Sequence, residues 1–349
     1  VTAPTPEELL AGPRGRRLVL ELARLLLPDQ LGPTLFYAAH DLESGAVPPT
    51  VTPQDVAAVL ARADLPPVEE GQVWAALDSA VTAARYWQEQ DGADVLAAEP
   101  VVRAALAPVA RALVGSGLTH WWSSPLDRSG QCRVTWIDDA GHVTDQPDAM
   151  GHVEALARWR AEARGEEARA RRERPADPAA RWSGVWWSSP PMDLPQTTRE
   201  IPGRGPVGLR LVEDGRGWRR ARVTRVEVPE DAVVLALDSA ASWAEVCRRH
   251  PLPVTASRRH DWWRTTGRNG EWVQPDWAAV AAEADAVHVS MSAYLTTAGT
   301  VVDVEDGVAS VMAGMSPDAT WWLTTAPAEA APAREWVWAE DSEEWRPVT

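Results

Sequence analysis

Residues 254–299 read VTASRRHDWWRTTGRNGEWVQPDWAAVAAEADAVHVSMSAYLTTAG, and the units this stretch separates decide the fold class. Pro275-Asp276 opens a short helix with Asp276 as N-cap and Trp277, Val280 and Ala281 on one face, ending near Asp285. Residues 286–290 follow as a strand, and 300–304, 308–312 and 320–324 read as three more. Upstream, 185–188, 207–212, 222–228 and 233–237 carry strand-like alternation or short apolar runs. Ser242-Trp243-Ala244-Glu245 has the form of a capping box, for a helix reaching about His250. Strands outnumber helices here and do not alternate with them. That excludes a doubly wound sheet and predicts an α+β fold with a split or strongly bent antiparallel sheet.

Towards the N-terminus the pattern changes to helix. Thr5-Pro6-Glu7-Glu8 is a capping-box start, and Gly12-Pro13 breaks the chain before a leucine stripe at 18, 22, 25 and 26. Thr52-Pro53-Gln54-Asp55 opens another helix, and 68–90 and 100–114 read as two more, the last ended by Gly115. Arg14, Arg16 and Arg17 fit a solvated helix face better than an anion site. Residues 118–122 and 133–137 read as strands, with a turn at Asp138-Asp139-Ala140-Gly141 leading towards Val143. Residues 150–174 form a charged helix whose acids and arginines lie three or four apart, a solvated connector rather than a nucleic-acid surface. The implied organisation is a helical region at 1–117, short strands plus the connector at 118–178, an α+β ligand-binding domain at 179–325, and an acidic tail at 326–349. The tail holds Trp336, Trp338 and Trp345, which predicts that part of it packs back onto the body.

Composition narrows the partners. A net charge of −16 argues against bulk nucleic-acid binding, which needs a basic face. Every one of the 34 basic residues is arginine, and the scarce residue types share AT-rich codons, as in a GC-rich genome. Cys132 and Cys247 form neither a CxxC unit nor a disulfide framework. The apolar runs are too short to span a bilayer, and no signal-like triplet opens the sequence, so a cytoplasmic location is expected.

Tryptophan pairs recur at 121–122, 186–187, 262–263 and 321–322, each followed by hydroxyl residues, as WWSSP twice, WWRTT and WWLTT. On a strand, adjacent side chains point to opposite faces, so one indole enters the core while its partner looks outward. Two readings stand side by side: tryptophan replaces the almost absent phenylalanine as core filler, or some indoles wall a site for a planar ring or sugar. The pairs are too unevenly spaced for a repeat architecture.

Arg258, Arg259, Arg264 and Arg268 fall within eleven positions, with Asp261 as the one local acid and Gly267 and Gly270 bracketing a turn. Guanidinium forks beside a tryptophan plane suit a phosphate attached to an aromatic base. His260 and His288 are the acid-base candidates, since an unperturbed imidazole titrates near pH 6.5, roughly. The plainer alternative pairs these arginines with the chain's fifty acids. HExxH, Walker, GxSxG and GxGxxG motifs are absent, and no third ligand stands at zinc spacing beside the histidines.

The segments RGRRL, SGVWWSSP, GLRLVEDGRGW, SRRHDWWRTTGR, PDWAAVA, DAVHVSMSAYLTTAG and AGMSPDATWWL together resemble a family of uncharacterised actinobacterial proteins, over most of the chain. The second half more loosely resembles ADP-ribosyltransferase-like domains, through its GVWWSS strand, DW-containing helix and DAVHVS strand. That resemblance implies NAD bound in a cleft between two small sheets, and transfer of ADP-ribose. The serine-bearing strand aligns with Trp186, Trp187 and Ser188, while His288 stands where such enzymes carry a late glutamate. On this reading Arg258, Arg259, Arg264 and Arg268 hold phosphates, Trp187, Ser188 and Trp262 contact the ligand, and His288, Tyr294 and His260 serve the reaction, without a metal. The alternatives are a non-catalytic binding protein using a tryptophan-lined cleft to engage a partner protein, and an enzyme acting on another small molecule.

Overall fold

The computed structural model describes residues 3–45, 47–143, 151–215 and 217–348. The first third is helical: α1 (Pro6–Ala11), α2 (Pro13–Leu26), α3 (Pro28–Ser44), α4 (Pro53–Arg62), α5 (Glu70–Thr82), α6 (Gly92–Ala98), α7 (Pro100–Ala105) and α8 (Ala107–Gly115). Thr5 and Thr52 cap α1 and α4 with both halves of the capping box in place. The helix expected over 100–114 is two helices. Pro108 lacks an N–H and crowds the preceding turn, so the chain restarts there. Leu18, Leu22 and Leu26 face inward as their spacing requires.

Arg14 and Arg17 do not face solvent. Arg14 pairs with Asp94 at 2.6 Å and donates to the Ala80 carbonyl at 2.8 Å, while Arg17 bridges Asp91 and Glu21, both at 2.8 Å. These interior pairs tie α2 to α5 and α6. Helices α1 and α2 approach closely enough to require glycine, since a Cβ at Gly15 would lie 2.1 Å from the Leu9 carbonyl oxygen.

The remaining strands build two open sheets. The larger contains β1 (Gln131–Ile137), β2 (Gln196–Ile201), β3 (Gly205–Pro206), β4 (Arg220–Glu227) and β5 (Val234–Leu237). The smaller runs β6 (Pro251–Pro253), β7 (Glu271–Pro275), β10 (Val308–Ser310) and β9 (Val302–Glu305) in that spatial order. β8 (Ala286–Val289), β11 (Ala319–Trp322), β12 (Ala328–Glu329), β13 (Arg334–Ala339) and β14 (Glu344–Pro347) complete the larger sheet. Its path is β14-β13-β4-β1-β2-β11-β8-β5, antiparallel except for the parallel pair β5–β8. The fold is thus α+β, with a helical N-terminal region, mixed sheets and no closed barrel. The tail does pack back, as the β13–β14 hairpin on β4.

Several local expectations change. Residues 118–122 are turns, 185–188 are extended but unpaired in any sheet, and 207–209 are a short 3-10 helix. The helix expected from Ser242 begins earlier: α10 (Ala240–Arg249) is capped by Ser239, with Ser242 as the reciprocal partner. The charged connector is α9 (His152–Glu173); its expected start at Met150 lies outside the described residues. The arginine-rich stretch is itself a helix, α11 (Thr255–Thr266), followed by α12 (Trp277–Val280) and α13 (Met291–Thr297).

Register gives the central strands two unlike faces. Leu237, Val287, Val289, Ala319 and Trp321 point to the face covered by the helices, and one apolar cluster joins them to Leu18, Leu22 and Leu77. Within this interface Glu213 is buried among Tyr86, Tyr294 and Arg14. Burial pushes its carboxyl up to about 8. The folded state therefore holds a proton that the unfolded chain releases near pH 4.3, roughly. This contribution to stability is complete below that pH and is lost as pH rises towards 8. We expect Glu213→Gln to flatten the fall in thermal midpoint between pH 5 and 8 and to raise the midpoint at pH 8, read by calorimetry. Breaking the interior pair by Asp94→Ala should instead cost about 3–5 kcal/mol at any pH near neutral, read by urea denaturation.

Candidate functional site

The opposite face of the same strands is polar. Cross-strand neighbours place Ala236, His288, Thr320 and Thr197 in one row. The next row, just past the strand ends, continues through Asp238, Ser290, Asp318 and Arg199. Buried polar groups on a sheet face must find partners, and most of these do. His288 Nδ1 lies 2.9 Å from Thr320 Oγ1, Trp322 Nε1 donates to Thr197 Oγ1 at 3.0 Å, and Thr197 donates to Gln131 Oε1 at 2.7 Å. His288 Nε2 has no hydrogen-bond partner among the described residues; the nearest acid oxygen is Asp318 Oδ1 at 3.9 Å.

Asp318 is the anchor of the second row. It adopts φ 51°, in the left-handed region, and is only 1% exposed. Its carboxylate accepts the Arg199 backbone N–H at 3.0 Å and Arg199 Nε at 3.3 Å. Burial raises the Asp318 carboxyl to about 6, against the pull of Arg199. Arg199 then donates to the Pro125 carbonyl at 2.8 Å, and its guanidinium lies 5.8 Å over the Trp121 ring.

Through these contacts the first WWSSP segment becomes a partition. Ser292 N donates to the Trp122 carbonyl at 3.0 Å, and Ser123 Oγ meets Ser292 Oγ at 2.5 Å. On one side of the segment is an outer chamber of about 370 Å³, lined by His120, Ser123, Ser124, Asp238, His288 and Ser290. It opens at the carboxyl ends of the parallel pair β5–β8. Ala236 also lines it and is exposed, so at that point of its edge only a methyl group stands in the way. On the other side is an inner chamber of about 290 Å³, walled by Trp74, Trp121 and Trp122, with Arg199 at its side.

The residues expected to form the site do not share one hollow. Of them, only His288 lines the outer chamber. Arg258 is buried and donates to the Trp187 carbonyl and Gln274 Oε1, both at 3.3 Å, and burial lowers its guanidinium to about 10. Arg259 donates to the Pro175 carbonyl, Arg264 to the Trp182 carbonyl and Asp261, and Arg268 to the carbonyls of Glu271 and Gly307. The N-terminus of α11, where a phosphate would be welcome, is filled by the protein's own Glu167, which accepts from Ala256 N and Ser257 N at 3.0 and 2.8 Å. Trp262 is buried and donates to the Trp186 carbonyl at 2.7 Å, Ser188 donates to Val311 O at 2.8 Å, and Trp187 packs edge-on against Trp186 at 5.7 Å. His260 is interior, its imidazole held below the usual range by burial and by Arg259, Arg174 and Arg264. Tyr294 belongs to the interior cluster with Tyr86 and Glu213.

Arg199, Asp318, Asp238 and the serines of the first WWSSP escaped notice in the sequence. A signal for the face they share was present: the alternate positions His288 and Ser290 put polar side chains on one face of an otherwise apolar strand.

Burial, reinforced by Arg199, lowers the His288 imidazole to about 3. The unfolded chain takes up this proton near pH 6.5, roughly. The stability it contributes is complete above that value and is lost as pH falls towards 3. We expect the ring nitrogens of His288 to show flat chemical shifts from pH 8 to pH 5 by NMR. A midpoint above pH 6 would show an imidazole that is not enclosed in the way described.

Compared with known proteins, this chain matches no family model, no curated protein and no solved structure.

Proposed function

We propose that the chain binds a small, uncharged, hydroxyl-rich molecule, a nucleoside or sugar, in the outer chamber. The observation that carries this reading is the polar sheet face beneath the first WWSSP segment, open at Ala236. Serine hydroxyls, the Asp238 carboxylate and two imidazoles provide donors and acceptors for hydroxyl groups. The lining residues include no guanidinium that would favour a phosphate. The volume is at the lower end of the range of small-molecule sites, about 300–1,000 Å³. NAD contains two nucleoside halves, but its charged diphosphate sets it apart from this uncharged class. The arginines expected to hold its diphosphate are engaged elsewhere, which favours the nucleoside or sugar part as the recognised group. Asp238 and His288 would orient the ligand, with His288 neutral throughout the physiological range.

The test is a thermal-shift panel of ribose, glucose, adenosine, ATP and NAD, followed by calorimetric titration of any compound that raises the midpoint. We expect adenosine or a sugar to raise the midpoint by a few degrees, and Ala236→Leu to weaken binding at least tenfold. Because Ala236 is exposed, that variant should keep the unliganded midpoint within about 1 °C. Nicotinamide release from NAD, followed by mass spectrometry, decides whether the chamber also supports glycosidic cleavage. Silence across the whole panel, or binding indifferent to Ala236→Leu, would remove the outer chamber as the binding site.

A further inference from the structure

The inner chamber lies on the far side of the Thr119–Pro125 segment and differs from the outer one in chemistry. Its floor is apolar, from Val73 and Leu77 of α5 together with Ile201. Trp74 and Trp121 stack there with ring centres 5.8 Å apart and planes 17° from parallel. Trp122 lines the same space, is 1% exposed, and keeps a buried indole N–H with no partner among the described residues. Leaving such a donor unpaired in the interior is costly, so an acceptor brought to it recovers that penalty. Beside it is Arg199, whose Nε is engaged by Asp318 and whose Nη2 is engaged by Pro125. Its other terminal nitrogen has no recorded partner among the described residues and remains a cationic donor.

Three acids also touch this chamber, and each already has partners. Glu200 pairs with Arg225, Glu70 lies 3.5 Å from Arg204, and Asp127 accepts Ser129 N and Ser129 Oγ at 3.0 and 2.7 Å. Asp127 keeps its charge at the rim, near Arg199, while the groups without a hydrogen-bond partner among the described residues are donors and the floor is apolar. From this we infer that the inner chamber is a second binding site, for a small aromatic carboxylate. Its ring would lie between α5 and Ile201, and its carboxylate would meet Arg199 and the Trp122 N–H. The charge-assisted contact fixes the acid end, and the indole walls exclude water from the ring.

This site does not depend on the outer chamber, and its test separates the two. The probes are benzoate, neutral benzamide and cationic benzylamine, titrated by ligand-observed NMR and calorimetry against the full chain. We expect benzoate to bind best, with benzylamine at least tenfold weaker. Trp122→Phe keeps an aromatic ring and removes the donor, so benzoate should lose about tenfold in affinity, with the thermal midpoint measured alongside to register the cost of the smaller side chain. Ile201→Trp, at a half-buried position, fills the space and should abolish benzoate binding even if Trp122→Phe proves unstable. Ala236→Leu should leave benzoate binding unchanged, which distinguishes this site from the outer one. No saturable binding of benzoate, preference for benzylamine, or indifference to both inner-chamber variants would overturn the inference.

Discussion

A carboxylate removed from water has to be paid for locally, and at Asp318 that requirement organises the centre of the molecule. The residue sits in the left-handed region just before β11, where an aspartate is tolerated better than most side chains. Arg199 answers it twice, through its backbone N–H and its guanidinium, and so fixes β2 beside β11 at the end where the polar face begins. The same guanidinium reaches the Pro125 carbonyl and covers Trp121, which holds the WWSSP segment across the strand ends. Removing either partner would leave the other buried and unpaired, a loss of about 3–5 kcal/mol. The positions of both chambers therefore follow from one ion pair and its reach.

The division of faces explains why the polar row survives inside a folded chain. One side of β2, β11, β8 and β5 is committed to the helical region, whose leucines and the sheet's valines form one continuous apolar cluster. That burial is available without the other face, so the second face can carry histidine, threonine and aspartate provided each is bonded. The hydroxyls of Thr320 and Thr197 do this by linking His288, Trp322 and Gln131 across four strands. A network satisfied in this way is rigid, and rigidity is what a binding face needs. The exceptions, among the described residues, are His288 Nε2 and Gln131 Nε2, both buried without a hydrogen-bond partner.

Much of the architecture was legible because local chemistry and tertiary context agree. Thr5 and Thr52 announce their helices by capping, and the β-branched runs at β1, β4, β8 and β11 announce strands. The misreadings occur where tertiary contacts outweigh local pattern. Residues 118–122 have strand-like side chains, but they turn because Trp122 is drawn into the apolar cluster while its carbonyl is taken by Ser292. Ser188 looks like a strand residue facing a ligand, yet its hydroxyl and N–H are satisfied by Val311 and Ala313. The site itself was only partly visible. His288 stands out as a lone imidazole between valines, whereas Asp318 and Arg199 acquire meaning only once register brings them together.

The arginines of α11 show why residue type and clustering did not identify a ligand. A guanidinium presents several donors in a plane, so one side chain can bridge two carbonyls or a carbonyl and a carboxylate. Arg264 does this between Trp182 and Asp261, and Arg268 between Glu271 and Gly307 while lying 4.7 Å over the Trp272 ring. Arg258 and Arg259 reach the carbonyls of Trp187 and Pro175, so the cluster fastens the long segment after α9 onto α11. The same use recurs away from this helix, where Arg248 grips the Val304 carbonyl and Arg128 those of Pro229 and Ala232. An irregular segment without a sheet partner must satisfy its carbonyls somehow, and a lysine-free chain does so with guanidinium groups. In such a composition a run of arginines marks unpaired backbone nearby more readily than it marks a phosphate. The informative cation is then the one with a donor left over, and Arg199 meets that condition beside a cavity.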